Sequence, residues 1–290
     1  QPVAKLYTTY VKAIKDKQID GFIHCIFNTF FTTTGRLSSQ DPNMQNIPAN
    51  NTIKNIFVPR PGYSFLDYDY SQAELRVVAE VAQEKTFIDA YINDRDIHWE
   101  MTMKMFNITF PYRAEKSVFK HVQELAKFLG LTLDPMFTEE NWAGYLAKNK
   151  EKQFDFEGDT LKVLDTIQKW DKYRNNAKTL NFSILYGSSE YGLARNIYKD
   201  TYDYVTETKR KEYLAECKDL LESWFKAVPN IKKWLEDNFA FAKKHGYVET
   251  MFGRRRYLVF SGSNYWKFQN SARREAGNTP IQSTASDICC

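Results

Sequence analysis

One short stretch, in which the apolar pattern changes period, constrains this chain more than any other. After the turn signal Pro61-Gly62, residues 63–69 (YSFLDYD) form an apolar run that reads as a buried strand. Helical periodicity follows at once, with Leu75, Val78, Ala79 and Ala82 at i, i+3, i+4 and i+7. A strand feeding straight into a helix puts Asp69 at the junction, where α/β proteins hold catalytic groups and hard cations. An aspartate there can equally cap the helix. Ser71 and Glu74 likewise make a capping-box pattern, so helix initiation alone would account for both.

A second helix is read over 168–187, with Gly187 as its C-cap. Arg174, Lys178, Phe182 and Tyr186 recur every four residues. At 100° per residue they draw a slowly turning stripe roughly 120° wide. Ala177, Leu180 and Ile184 lie opposite and suit a core. Two cations followed by two aromatic rings can hold a polyphosphate at one end and stack a base at the other. A merely solvated amphipathic face has the same pattern.

Residues 22–37 read as strand then turn, ending at Gly35, and 246–260 as a hairpin turning at Gly253. Arg254, Arg255 and Arg256 in that hairpin, with Arg273 and Arg274 further on, are the densest positive charge and suit a phosphate backbone or a solubilising turn. Thr34 to Ser39, followed by Pro42 to Pro48, concentrates amides beside Arg36; such groups read groove edges or hold loops. Residues 107–165, with Pro111, Pro135 and Glu157-Gly158-Asp159, read as an inserted, mostly helical subdomain. Pro280 is expected to start a last helix with Gln282, Ala285, Ser286 and Cys289 on one face and no stop signal. That ending is expected to be a cut, a processing site or a split.

Composition serves here mainly to exclude. The net charge of +4, from 40 basic and 36 acidic residues, rules out a strongly basic tail but not a local basic groove. Cys25, Cys217, Cys289 and Cys290 form no CxxC pair, which fits a reducing compartment rather than a disulfide framework. No run approaches the roughly 18 apolar residues of a membrane span. An intracellular setting is expected, in the cytoplasm of a bacterium or of a virus-infected cell.

Six segments, taken in order, resemble the successive signature segments of family A DNA polymerases. They are TGRLSSQDPNMQNIP, DYDYSQAELR, DIH, RNNAKTLNFSILYG, GYVETMFGRRRYL and REAGNTPIQSTASD, and they span nearly the whole chain. The resemblance implies an α+β right hand: palm from residues 1–92 and 246–290, and mainly helical fingers from 93–245 carrying the insertion. It implies Asp69 and the Tyr70 carbonyl as ligands of two Mg²⁺ ions, with Mn²⁺ as a substitute. Arg174, Lys178 and His98 match contacts to the incoming triphosphate, and Gln72 and Phe182 belong with the nucleotide set. Glu74, paired with Tyr186, matches the gate against a ribose 2′-hydroxyl. Arg36, Asn43, Gln45, Asn46, Arg254, Arg274, Asn278 and Gln282 match DNA contacts.

The implied reaction is attack of a primer 3′-hydroxyl on the α-phosphate of a dNTP, directed by primer–template DNA. Three departures stand out. Ser183 and Ser283 occupy places where the family usually has glycine. The stretch from His98 to Arg174 is much longer than the family's connection. The family's later His-Asp-Glu segment, with the second metal-binding aspartate, does not occur, so a C-terminal companion segment or chain is expected to supply it. Two other readings fit parts of the pattern: an inactive nucleic-acid-binding module derived from a polymerase, and a single-subunit RNA polymerase, against which Glu74 argues.

Overall fold

The computed structural model describes residues 7–47, 51–109, 119–133, 135, 138, 158–259 and 266–289. The architecture is α+β. A π-helical turn, Tyr7–Lys12, leads into α1 (Ala13–Lys17), followed by β1 (Gln18–Ile19), β2 (Phe22–Ile23), β3 (Ile26–Asn28), β4 (Ser38–Gln40) and α2 (Asn51–Lys54). Helices then dominate: α3 (Ala73–Val81), α4 (Lys85–Ile92), α5 (Ile97–Phe106), α6 (Phe119–Leu129) and α7 (Gly158–Leu185). After them come α8 (Glu190–Ile197), α9 (Glu207–Ala227), α10 (Pro229–His245), the hairpin β5 (Tyr247–Glu249) and β6 (Arg255–Tyr257), and α11 (Trp266–Cys289). The strands pair as three antiparallel ladders, β1–β2, β3–β4 and β5–β6, with Val248 opposite Arg256 in the last.

The main core lies where α3, α4, α5, α7, α8, α9 and α11 meet. Leu75, Val78, Phe87, Met101, Leu180, Leu193, Trp224 and Ile281 are all sealed from solvent there. Ala177, Leu180 and Ile184 do face this core, opposite the cation–aromatic stripe. A smaller cluster of Trp99, Val122, Leu125, Ala126 and Val163 seats α6 between α5 and α7. Two caps set how α5 and α10 begin and end. Asp96 Oδ1 accepts the backbone N–H groups of His98 and Trp99, and Gly246, at φ +78°, ends α10.

Several expectations from the sequence need correction. Residues 63–69 are not a buried strand. Among the described residues no strand pairs with them, and Tyr63, Phe65, Leu66 and Tyr68 stand in solvent. β-propensity supplies a willing backbone, but a neighbour must supply the ladder. Ser71 and Glu74 are not a capping box: the N-cap of α3 is Gln72, left-handed at φ +55°, and the Glu74 carboxylate bonds elsewhere.

Nor does Pro280 start a helix; it lies inside α11. A helix-interior proline costs about 3 kcal/mol, and burial of Ala276, Thr279, Ile281, Thr284 and Ala285 around it offsets that cost. The long helix begins at Gly158 rather than near 168, so it runs through the expected end of the insertion. Most of the insertion, including Pro111 and Glu157, lies outside the described residues, as do Pro48 and Cys290. No described helix is long and apolar enough to cross a membrane.

Candidate active site

The stripe on α7 runs from Arg174 to Tyr186, about 18 Å at 1.5 Å per residue. Lys178 and Tyr186 are exposed, and Arg174 and Phe182 are half-buried. The Arg174 guanidinium is held at two points by Asp96 Oδ2, at 2.8 Å from Nε and 2.6 Å from Nη2. Because Asp96 also caps α5, one carboxylate fixes the start of α5 against the middle of α7. His98, in the first turn of α5, is buried at 3% exposure, and its ring lies 5.8 Å from that of Phe182. Burial, reinforced by the Arg174 and Lys178 charges and opposed by Asp96, pushes its pKa down to about 4.

At the far end of the stripe, the Tyr186 phenol donates to Glu74 Oε2 at 2.7 Å. Arg36 Nη2 donates to the other oxygen of the same carboxylate. Glu74 is itself buried, so the pair of donors satisfies a charge held away from water. The left-handed turn at Gln72 places that residue beside them, its Oε1 accepting from Tyr91 Oη at 2.9 Å. Three segments distant in sequence thus converge on the first turn of α3.

Asp69 is exposed and lines a cleft of about 490 Å³ together with Tyr70, Arg76, Glu80, Met251 and Ile288. Among the described residues no group of three or more His, Cys, Asp or Glu side chains is placed to share a metal ion. Mg²⁺ is typically held by one or two carboxylates with phosphate oxygens and water. Asp69 offers one exposed carboxylate of the kind such a site uses.

The residues expected to touch DNA divide into two kinds. Each hairpin arginine has an acidic partner: Arg254 with Asp287, Arg255 with Glu249 and Arg256 with Glu275. Arg254 Nη2 also donates to the carbonyls of Thr34 and Ser283, each at 3.0 Å, which ties the hairpin to that loop and to α11. Gly35 is required by this contact, because at φ +78° a Cβ would stand 2.5 Å from Arg254 Nη1. Asn43 Oδ1 accepts the backbone N–H of Gln45, and Asn46 O accepts from Tyr10, so these two polar groups shape the loop itself. Gln45 and Asn46 keep exposed side chains.

Arg274 packs on Gly187 and, with Arg273 and Lys232, lines a cleft of about 550 Å³ between the end of α7 and α10–α11. Gln282 and Asn278 are half-buried on α11, and Asn278 Oδ1 is a buried acceptor without a hydrogen bond among the described residues. Of the two serines, Ser183 accepts from Asn196 Nδ2 at 3.2 Å, whereas the buried Ser283 Oγ has no partner among the described residues.

The family model for DNA polymerase family A matches residues 1–122 and 158–290. The chain belongs to DNA polymerase family A. The segment the family A model passes over, 123–157, is narrower than the insertion expected at 107–165. Among curated relatives, DNA polymerase I of Caldicellulosiruptor bescii is 29% identical over 98% of this chain, and that of Streptococcus pneumoniae 32% over 99%. The thermostable DNA polymerase I of Thermus aquaticus is 29% identical over 99%. The chain spans about a quarter of the length of each (26%, 26% and 27%).

A solved structure, the POL domain of Pol1 from M. smegmatis in complex with DNA primer-template and dNTP, aligns with a TM-score of 0.67 at 25% identity. It covers 99% of this chain and 40% of that one. Three members of the cluster escaped the sequence reading: Asp96 as the arginine clamp, and the buried pair Asn181 and Trp224 behind His98. The N-cap position of Asp96 ahead of α5 was the one available signal.

Proposed function

We propose that the chain is the nucleotide- and template-binding part of a template-directed, intracellular DNA polymerase, one piece of a two-part active site. The observation that carries this is the closure of the α7 stripe on Glu74 through Tyr186. A nucleotide lying along α7 would meet Lys178 and Arg174 at its phosphates and Phe182 beside its base and sugar. The Glu74 carboxylate would then meet its sugar, where a 2′-hydroxyl finds no room. The palm would comprise 1–92 and 246–290 and the fingers 93–245, with the hairpin arginine Arg254 bridging the two palm segments.

Arg174 and Lys178 hold and neutralise the triphosphate, while Glu74, Tyr186 and Phe182 orient the sugar for in-line attack by a primer hydroxyl. Asp69 and Tyr70 would hold Mg²⁺, or Mn²⁺, which supplies charge to activate the nucleophile and stabilise the leaving oxygen. A second carboxylate would come from a companion segment or chain. The exposed Phe65, Leu66, Tyr68 and Tyr70 beside Asp69 are an apolar surface on which it could settle. Arg36, Gln45, Asn46, Arg274, Asn278 and Gln282 would face primer–template DNA.

The test has two arms. Primer–template and dNTP binding are measured on this chain, and extension is measured with and without a companion that carries the second carboxylate. Binding of both ligands, with extension only after addition of the companion and its loss in Asp69→Ala, is expected. Robust extension by this chain alone would refute the two-part reading, and a preference for rNTP over dNTP would refute the DNA polymerase assignment.

A further inference from the structure

A buried polar chain crosses the core behind the α7 stripe. Trp224 Nε1, on α9, donates to Asn181 Oδ1 on α7 at 2.6 Å, and Asn181 Nδ2 lies 2.9 Å from His98 Nδ1 on α5. Trp224 and Asn181 are fully buried and His98 nearly so. An amide can normally be turned end for end without consequence. Here it cannot, because an indole N–H only donates and so must face the amide oxygen. The NH₂ end is then aimed at His98 Nδ1, which has to present a lone pair. The ring proton accordingly sits on Nε2. A doubly protonated imidazolium would set an N–H against an NH₂, two donors with no acceptor in a site closed to water.

We propose that Asn181, held by Trp224, is a positioning residue that keeps His98 neutral with its proton on Nε2, so that His98 offers an anion a hydrogen bond rather than a charge. The inference rests on the nucleotide-binding reading of the stripe. The charged groups that face His98 are Asp96 on its own helix and Arg174 and Lys178 on α7, while α9 contributes the uncharged Trp224. Two cations already serve the phosphates. A histidine that charged near neutral pH would add a third and make the grip pH-dependent; one locked neutral adds direction alone.

The experiment is long-range ¹H–¹⁵N correlation NMR on the ¹⁵N-histidine-labelled chain, which contains four histidines, with His98 assigned by the loss of its signals in His98→Gln. Without nucleotide, the His98 signals are expected to show the Nε2-protonated tautomer, with no titration between pH 5.5 and 8. In Asn181→Asp the group facing Nδ1 becomes an acceptor, and the ring should become protonated there and titrate within that range. From a starting value of about 4, that corresponds to at least about a thirtyfold gain in proton affinity, roughly 1.5 units of pKa.

A wild-type Nδ1-protonated tautomer, or wild-type titration near pH 6.5, would overturn the proposal, and neither measurement needs Asn181→Asp to fold. So would an unchanged His98 in a folded Asn181→Asp. Addition of dATP separates the two readings. The expected tautomer with no saturable dATP binding would refute the nucleotide-binding reading while supporting the role of Asn181.

Discussion

Asp96→Asn separates two tasks that one carboxylate performs. The cap survives the change, because asparagine caps a helix as well as aspartate and Oδ1 can still accept from His98 and Trp99. What disappears is the negative charge that holds Arg174. The two side chains of that pair are 18% and 16% exposed, so most of its Coulomb energy escapes solvent screening. Removing one partner of a buried pair costs about 3–5 kcal/mol, and hydrogen bonds to charged groups contribute about 1.5–3 kcal/mol. The residual exposure and the amide oxygen left to Arg174 pull the expected loss toward about 2–3 kcal/mol.

At roughly 2–4 °C per kcal/mol for a domain of this size class, the midpoint should fall by about 5–10 °C. Asp96→Ala removes the cap as well and should lose about 1 kcal/mol more. Urea and thermal unfolding of the three proteins provide the assay. If Asp96→Asn matched the wild type while Asp96→Ala lost only the value of a cap, the clamp on Arg174 would contribute nothing, and the reasoning would be refuted.

Other substitutions probe the remaining contacts. Gly35→Ala should destabilise by more than the roughly 1–2 kcal/mol of left-handed backbone strain, whereas Gly21→Ala, at φ +80° with nothing within 4 Å, should lose the strain alone; equal losses by denaturant unfolding would remove the Arg254 contact from the argument. Lys178→Ala should weaken dNTP binding roughly ten- to a hundredfold at unchanged primer–template affinity, measured by fluorescence titration. Glu74→Gly should raise rNTP binding relative to dNTP, and an unchanged ratio would leave the carboxylate no part in sugar selection. With its folded pKa near 4, below the ordinary 6.5, His98 makes stability fall as pH drops through that window, by at most about 3 kcal/mol. His98→Gln should flatten the urea midpoint between pH 6.5 and 4 relative to wild type.

Patterns set by nearby residues were legible in the sequence. The four-residue recurrence of Arg174, Lys178, Phe182 and Tyr186, with Leu180 and Ile184 opposite, needs only the helical repeat, and α7 has it. Gly253 and the hairpin arginines also announced a turn. What the arginines do was hidden, because their partners Glu249, Glu275 and Asp287 come from the opposite strand and another helix. The Ser71-x-x-Glu74 pattern misled for the same reason. Arg36 and Tyr186, each far away in sequence, outcompete a backbone N–H for the Glu74 carboxylate. Residues 63–69 have the composition of a strand but, among the described residues, no neighbour to pair with, and Pro280 shows tertiary burial overriding a local rule.

The Arg254 contacts have a mechanical meaning. One guanidinium joins the hairpin, α11 and the loop carrying Thr34 and Gly35, and the next residue of that loop, Arg36, grips Glu74 and through it Tyr186. These links run in series from the hairpin through the Thr34–Arg36 loop to the end of the stripe. A tilt of the hairpin, whose Met251 and Phe252 are exposed, would pull on these contacts and through them on Tyr186. Under the proposed function, a duplex held against the hairpin would then be felt at the nucleotide without either ligand touching the other.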